Sequence, residues 1–470
     1  MRLPAARTHP PGLLLHKYWA RKPHNVMAAL VEQYSRPGDT VVDPFCGSGV
    51  FLREAALRGR HALGLDSNPI ACLLSEVTTA PPDPAAFLAS LSGLVQRLEG
   101  ALRGAYLAGD RTVRFAVHET LVSCPACGAC TGPADGRRAG RAYACPCGRR
   151  LRFNLETLAR TRVTAVALAD GTLSRDPALL AGQEQAASRL LPATPGGFSL
   201  PFAENRRILA FAGFGTADLF TPRNFSALSH IAAAFHAIPE PSIRRAALLL
   251  LTASAAQCSR LIAHRNNLTT GGPAWTVPGF WVPPVHLETN PLWHLRARLA
   301  RFGRGLRDLA AGGAGAGRAR VIRADARVGL RDLAAQGIRA SLVFLDPPYG
   351  DSVPYGEFST LWNGFLKEAP DLDADLSVSD RLPADIAWSR YREGLGTVLA
   401  GVTRVLAPGG AVVVTFNNND PRAWEALSAA LDSAGLVCEA VAYRDPAVVS
   451  AKAQLAPDGS YVGDLYAAFR

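Results

Sequence analysis

The sequence has no long uninterrupted apolar run, and it contains very little lysine. No stretch approaches the roughly 18 apolar residues that would span a bilayer, and the N-terminus shows no charged region followed by an apolar core and a small-residue cleavage site. These absences argue against a membrane protein and predict a cytoplasmic location with no membrane partner. The chain has 470 residues, 48% hydrophobic and 19% charged, which is the balance of a globular protein of two or three domains.

Because only four of the 50 basic residues are lysine, the positive charge is carried by arginine. Its distribution is uneven. The segment from Pro81 to Arg320 holds 28 arginines and 14 acidic residues, whereas the rest of the chain holds 22 basic and 25 acidic residues. This pattern predicts that the middle segment docks on phosphates while the remainder is an ordinary catalytic core. The alternative is a solvated arginine-rich surface with no partner.

The order of predicted strands and helices indicates one α/β domain that is interrupted by an insertion. Residues 39–77 have the pattern strand, glycine-rich turn, helix, strand, helix, which is one half of a doubly wound sheet. The proline-rich stretch at 80–84 breaks this pattern, and alternating strands and helices resume at Arg320. We therefore predict a catalytic domain made of residues 1–79 and 320–470, with an inserted region at 80–319.

A glycine-rich loop follows the first predicted strand and opens a helix. Its sequence is Asp43-Pro44-Phe45-Cys46-Gly47-Ser48-Gly49, and its glycines can let the backbone approach a ligand closely. Asp66 ends the next strand, where a carboxylate can accept hydrogen bonds from both ribose hydroxyls. The pair predicts a nucleoside site. The loop lacks the third glycine of the dinucleotide fingerprint, so an NAD site is the lesser interpretation.

A second motif, Asp346-Pro347-Pro348-Tyr349, follows the predicted strand Leu342–Leu345. An exocyclic amine on a base is a poor nucleophile because its lone pair is delocalised into the ring. The Asp346 carboxylate and the Pro347 carbonyl can accept its two N–H bonds, and the prolines hold these acceptors rigidly. Tyr349 can supply a stacking face for a base swung out of its helix.

Five of the nine cysteines lie between Cys124 and Cys147. Cys124 and Cys127 make one knuckle-like turn, and Cys145 and Cys147 make a second, shortened one, at close to zinc-ribbon spacing. We predict a structural zinc on these four thiols, with the ribbon at about residues 121–153 and Cys130 as a substitute ligand. Nearby arginines could contact phosphates; they are Arg137, Arg138, Arg141, Arg149, Arg150 and Arg152.

Together these motifs resemble the amino methyltransferases of DNA. Phe45, Gly47 and Gly49 match the cofactor loop of that group, Asp346 to Tyr349 match its D-P-P-Y loop, and the segment His16–Pro23 resembles its N-terminal motif. With the cysteine cluster and the segment Leu219–Arg223, the chain is similar to adenine-specific DNA methylases that contain a zinc ribbon. The resemblance implies an α/β fold, namely a Rossmann-like S-adenosylmethionine-dependent methyltransferase sheet split by a large mixed α+β insertion with a zinc ribbon.

The resemblance also implies the roles of individual residues. Asp346, Pro347, Pro348 and Tyr349 would be catalytic, and the cofactor would be bound by Lys22, Asp43, Pro44, Phe45, Gly47, Gly49, Asp66, Ser67, Asp325 and Ala326. The expected cofactors are S-adenosylmethionine and a structural zinc ion on Cys124, Cys127, Cys145 and Cys147. The expected partner is double-stranded DNA with one base flipped out, with restriction or phage-defence proteins as further partners.

Four alternatives to this interpretation have to be weighed. An RNA guanine-N2 methyltransferase would use similar loops, but its RNA-binding domain usually precedes the catalytic domain. An N4-cytosine DNA methyltransferase differs little in chemistry, although S-P-P-Y is more usual there. A C5-cytosine enzyme would need a Pro-Cys nucleophile where Asp346 stands. A non-enzymatic DNA-binding module with an idle methyltransferase domain is the fourth, and the intact motifs argue against it.

Overall fold

A computed structural model describes residues 1–135, 137–139, 142–152, 158–264, 279–313, 317–447 and 463–470. The helices are α1 (His24–Tyr34), α2 (Val50–Leu57), α3 (Pro69–Thr79), α4 (Pro84–Leu102), α5 (Pro177–Ala187), α6 (Pro222–His236), α7 (Pro241–Ala255), α8 (Pro291–Ala311), α9 (Ala326–Ala335), α10 (Tyr355–Leu366), α11 (Ala384–Val405) and α12 (Pro421–Ser433). The strands are β1 (Thr40–Asp43), β2 (His61–Asp66), β3 (Leu107–Ala108), β4 (Arg111–Ser123), β5 (Cys130–Thr131), β6 (Arg137–Ala139), β7 (Ala142–Ala144), β8 (Arg150–Leu151), β9 (Leu158–Leu168), β10 (Leu173–Ser174), β11 (Val285–Thr289), β12 (Arg318–Arg323), β13 (Ala340–Leu345), β14 (Leu406–Phe416), β15 (Cys438–Arg444) and β16 (Asp464–Phe469). None of the helices in these ranges has the length and apolarity needed to span a bilayer.

The chain divides into two compact units. The first contains residues 1–85, 302–359 and 370–470, and the second contains residues 86–301 and 360–369. These limits differ from the predicted division at 79/80 and 319/320. Helix α8 shows why. Its C-terminal part belongs to the first unit because Asp308 accepts a hydrogen bond from the Gly12 N–H over 3.0 Å and the Leu309 carbonyl accepts one from Arg53 over 2.8 Å. A continuous helix gives no composition signal at such a boundary.

The first unit is built on a mixed sheet whose described strands follow the order β12-β2-β1-β13-β14-β16-β15. The first five of these are parallel, and β16 and β15 each run antiparallel to their neighbours. The inner strands are apolar because helices cover both faces of a parallel sheet. Val41 of β1 pairs with Leu342 of β13, so these two strands are neighbours, and the alternation of strands and helices confirms the α/β class.

The direction of strand order reverses between β1 and β13. From β1 the chain moves outward to β2, whereas from β13 it continues to β14 on the other side. A crevice at the carboxyl ends of the strands opens at such a switch point, and ligands of doubly wound sheets bind there. Strand β1 ends at Asp43 and strand β13 ends one residue before Asp346. The topology therefore brings the two predicted motifs to one edge.

The second unit contains an antiparallel sheet with the described order β10-β9-β4-β11 and a small sheet β6-β7-β8. The segment Leu219–Arg223 leads into α6, where the Thr221 hydroxyl accepts a hydrogen bond from the Asn224 N–H and so caps the helix. The side chain of Arg223 is only 1% exposed and pairs with Glu288, which also lies 3.0 Å from His118. This segment is therefore part of a buried polar network inside the second unit.

Candidate active site

The glycine-rich loop turns tightly from β1 into α2. The Asp43 carboxylate accepts a hydrogen bond from the Phe45 N–H over 3.1 Å, and the Gly47 carbonyl accepts one from the Ser75 hydroxyl over 2.9 Å. Gly47 has φ +49°, and a Cβ there would lie 3.3 Å from the Tyr18 ring. The backbone conformation and the close ring together favour glycine at this position.

Asp66, at the end of β2, is bonded to this loop. Its two carboxylate oxygens accept hydrogen bonds from the backbone N–H groups of Gly47 and Asn68, each over 2.9 Å. Burial raises the pKa of Asp66 to about 6, although these two N–H groups oppose the shift. Asp66 therefore joins the end of β2 to the loop that follows β1.

A cavity that encloses about 940 Å³ of space, part of it open to solvent, lies at this edge of the first unit. Ten of the residues predicted from the sequence line it: Lys22, Asp43, Pro44, Phe45, Gly47, Asp66, Ser67, Ala326, Asp346 and Pro348. The structure thus brings the glycine-rich loop and the D-P-P-Y loop together around one space.

Four predicted site residues do not line this cavity, and two of them have clear structural roles. Gly49 immediately precedes α2 and has φ +75°, and a Cβ there would lie 2.8 Å from the Cα of Ser75, so glycine is needed for close packing of the chain. Asp325 caps α9 by accepting a hydrogen bond from the Arg327 N–H over 2.8 Å, and it also pairs with the Arg327 guanidinium. Only its neighbour Ala326 reaches the cavity.

The other two are Pro347, which is buried, and Tyr349. The Tyr349 hydroxyl donates a hydrogen bond to Oδ1 of Asp346 over 2.8 Å, and its ring packs against Phe416 with the ring centres 4.9 Å apart. The cavity is lined by Tyr18, Trp19 and Tyr355 instead, with the Tyr18 and Tyr355 rings stacked at 6.0 Å. Tyr355 was not predicted because no motif surrounds it.

Asp346 is the acidic group of the D-P-P-Y loop that faces the cavity. Its side chain is 19% exposed. Burial raises its pKa to about 6, Lys22 opposes the rise, and Asp464 adds to it. The neighbouring Asp43 is 2% exposed, and burial raises its pKa well above the ordinary value. Asp43 and Asp346 therefore place two carboxyl groups with raised pKa values at this edge of the sheet.

Lys22 lies beside Asp346. Its ammonium group donates hydrogen bonds to the Tyr349 hydroxyl over 2.5 Å and to the Asp464 carboxylate over 3.0 Å, and it lies 3.5 Å from Oδ1 of Asp346. Although Lys22 was predicted as a cofactor ligand, its charged atom is bonded to protein groups. Asp464 was not predicted, since it stands 442 positions from Lys22 and belongs to no motif.

A separate cluster in the second unit brings together the side chains of Cys124, Cys127, Cys145 and Cys147, whose sulfur atoms all lie within 4.8 Å of one another. Two of the sulfur pairs are 3.6 and 3.7 Å apart. A tetrahedral site with Zn–S bonds of about 2.3 Å requires sulfur atoms about 3.8 Å apart, so these thiols fit a zinc ion. Cys130 is outside the cluster and lies beside Ser123, so Cys147 is the fourth thiol of the cluster despite the shortened knuckle.

The structure describes the side chains of three of the six arginines that were predicted to surround the ribbon. Arg149, Arg150 and Arg152 are exposed. Arg141 and the side chains of Arg137 and Arg138 lie outside the described residues.

Comparison with known proteins gives two matches over a limited part of the chain. The "DNA methylase" family of N6/N4 methyltransferases matches residues 5–76, a range that includes Lys22, the glycine-rich loop and Asp66. The type II methyltransferase M.EcaI of Enterobacter cloacae is 42% identical over 60 residues, which are 13% of this chain and 13% of that protein. The chain thus matches about an eighth of the length of this relative, and its N-terminal segment is similar to DNA methylases.

Proposed function

We propose that this protein is an S-adenosylmethionine-dependent methyltransferase that modifies an exocyclic amino group of a DNA base, with adenine N6 as the preferred target. The observation that carries the proposal is that the glycine-rich loop, Asp66 and Asp346 surround one cavity at the switch point of a doubly wound sheet. The family match to residues 5–76 supports the same class of enzyme.

The charge of the cavity suits this cofactor. Five acidic residues line it, Asp43, Asp66, Asp346, Asp371 and Asp375, against the two basic residues Arg21 and Lys22. S-adenosylmethionine carries a sulfonium and an ammonium group, and an excess of carboxylates favours such a cation. In this proposal Asp66 accepts hydrogen bonds from the ribose hydroxyls, and Asp43 lies near the methionine ammonium.

The D-P-P-Y loop supplies acceptors for the substrate amine. Because Tyr349 and Lys22 occupy the Oδ1 side of Asp346, Oδ2 is left to accept one N–H of the amine. The Pro347 carbonyl oxygen would accept the other N–H: Pro347 itself is buried and does not line the cavity, but among the described residues no backbone N–H is bonded to this oxygen. Two such acceptors favour a pyramidal nitrogen with a localised lone pair, which is the form that attacks.

The bound cofactor supplies an electrophilic methyl group on a positively charged sulfur. Transfer of that methyl group would leave the amine positively charged and acidic, and the Asp346 carboxylate could then take the proton that the amine loses. A group whose pKa is raised to about 6 is suited to hold a proton briefly near neutral pH.

The second unit would bind the nucleic acid. The four clustered cysteines would hold a structural zinc ion, since they leave no open position for catalysis. The exposed arginines Arg149, Arg150 and Arg152 beside this site would contact phosphates. Replacing all three with alanine should then reduce the slope of log affinity against log salt by roughly 0.9 for each lost contact. Replacing Arg331, Arg339 and Arg392 removes the same charge outside the ribbon and should leave the slope unchanged.

The direct test of this proposal is transfer of a radiolabelled methyl group from S-adenosylmethionine to unmethylated genomic DNA, with total RNA as the competing substrate. We expect label in DNA. Label in RNA alone would favour the guanine-N2 alternative. Binding of DNA with no transfer to either substrate would favour the idle module.

A further inference from the structure

We propose that Lys22 is a positioning residue which, together with Asp464, holds the Asp346 carboxylate with Oδ2 free to face the substrate amine. This inference rests on the proposed function. It assigns roles in the chemical step to one residue near the start of the chain and one near its end, neither of which touches the reacting atoms.

Tyr349 and Lys22 both lie beside Oδ1 of Asp346, and they also contact each other. Oδ1 of Asp346 accepts the Tyr349 hydroxyl over 2.8 Å, and that hydroxyl in turn accepts a hydrogen bond from Lys22 over 2.5 Å. The ammonium of Lys22 is also 3.5 Å from Oδ1 itself and 4.8 Å from the centre of the Tyr349 ring. Rotation of the carboxylate would break the hydrogen bond and separate the ion pair, so this arrangement fixes its orientation.

Asp464 anchors Lys22 from the other side. It is the first residue of β16, which pairs with β14, and its carboxylate lies 3.0 Å from the ammonium. The Lys22 side chain is only 6% exposed. An ammonium this buried needs charged or polar partners, and Asp346, Tyr349 and Asp464 provide them. The ammonium is therefore bonded within the protein, which explains why Lys22 can line the cavity without acting as the cofactor's ligand.

Lys22 and Asp464 also affect the pKa of Asp346, and they act in opposite directions. The charged and titratable groups around its carboxylate are Lys22, Asp43, Tyr349, Tyr355, Asp464 and Tyr466. Lys22 lowers the pKa of Asp346, whereas Asp464 raises it. Removing the charge of Lys22 must therefore raise this pKa, and removing the charge of Asp464 must lower it. If the two residues had a purely structural role, their substitution would not be expected to shift the pKa of Asp346 in opposite directions.

The test measures kcat for methyl transfer across pH at saturating DNA and cofactor in the full-length protein. Asp346 must be ionised to accept an N–H bond, so the wild-type rate should fall as pH drops through about 6. This fall in rate is the acidic limb of the pH profile. Lys22→Met should shift the acidic limb to higher pH by roughly one pH unit, as expected for loss of a nearby opposite charge. Asp464→Asn should move it down, and Lys22→Arg, which keeps the charge, should hold it near the wild-type position.

Two further measurements separate the possible outcomes. Cofactor affinity should change less than about threefold in Lys22→Met and Asp464→Asn, and Asp445→Asn, an exposed acidic position just beyond β15, should match the wild type in every assay. An unchanged acidic limb in both Lys22→Met and Asp464→Asn would overturn the inference, as would a large loss of cofactor affinity in Lys22→Met. Should Lys22→Met fail to fold, the downward shift in Asp464→Asn still decides it. Absence of transfer by the wild-type protein would instead refute the proposed function.

Discussion

The backbone N–H of Gly47 donates a hydrogen bond to Oδ2 of Asp66 over 2.9 Å. This bond joins the loop after β1 to the end of β2, and both sides of it line the cavity. A single carboxylate thus both holds the loop and faces the cavity.

Asp66→Ala should weaken binding of S-adenosylmethionine by about 1.5 to 3 kcal/mol, because hydrogen bonds to a charged group are lost. Calorimetry can measure this loss. Below pH 6 the affinity of the wild type should also fall, since protonation of Asp66 removes the charge of the acceptor. Asp325→Ala is the matched control. It removes a helix cap outside the cavity, so it should lower stability by about 1 kcal/mol and leave affinity intact. Equal losses of affinity would contradict these assignments.

Asp346→Ala should abolish methyl transfer while cofactor affinity changes little, because its carboxylate acts on the substrate amine. Loss of one such acceptor should lower kcat by at least about 10²-fold. Single-turnover assays with labelled cofactor would measure the step directly. If the variant bound cofactor as poorly as Asp66→Ala, the assignment of cofactor binding to Asp66 and of the substrate amine to Asp346 would be wrong.

Gly49→Ala should destabilise the protein more than Gly38→Ala does. Both residues have positive φ, +75° and +91°, so both substitutions strain the backbone. Only Gly49 also has a neighbour in the way, since its Cβ would approach Ser75 to 2.8 Å. We expect a cost of about 1 kcal/mol at Gly38 and a further 1 to 3 kcal/mol at Gly49, measured by thermal unfolding. Similar melting temperatures would argue against close packing at this turn.

Metal analysis should find one zinc ion per chain, and a strong chelator should remove it. Cys124→Ser should lose the metal, because a site of four thiolates tolerates no missing ligand well. Cys130→Ser should retain it, since that thiol is outside the cluster. Retention of zinc in Cys124→Ser and its loss in Cys130→Ser would show that Cys130 is a ligand after all.

Glu288→Gln should destabilise the protein by roughly 3 to 5 kcal/mol, because it leaves the buried Arg223 without a countercharge. Asp170→Asn breaks an ion pair with Arg111 in which both side chains are more than 40% exposed, and it should cost less than about 1 kcal/mol. Thermal unfolding of the two variants makes the comparison. A small effect at Glu288 would mean that its pairing with Arg223 contributes little to stability.

Local patterns in the sequence predicted the part of the site that depends on neighbouring residues. A strand, a glycine-rich turn and a helix succeed each other between Thr40 and Leu57 in the structure, as the pattern indicates. The glycine-rich loop and Asp346 could each be placed directly after a predicted strand, and the ligand loops of doubly wound sheets lie at the carboxyl ends of parallel strands. Cys124 to Cys147 could be grouped for a similar reason, because metal ligands recur at short spacings.

Contacts between distant residues could not be predicted in this way. Lys22 meets Asp464 only because β16 pairs with β14, a register that no local pattern reveals. The burial of Arg223 runs against the usual exposure of arginine, and the charged partner that makes it possible, Glu288, is 65 positions away. For Asp325 the local pattern was visible but ambiguous, since an aspartate before a helix is equally suited to cap the helix or to bind a ligand.

The most direct test of the account is mass spectrometry of nucleosides from the DNA of a methylation-deficient bacterial host that expresses this protein. We predict N6-methyladenine in cells with the wild-type protein and none in cells with Asp346→Ala at equal protein level. N4-methylcytosine in place of N6-methyladenine would keep the mechanism and change the base. DNA without any methylated amino group, or a methylated base that persists in Asp346→Ala, would contradict the account.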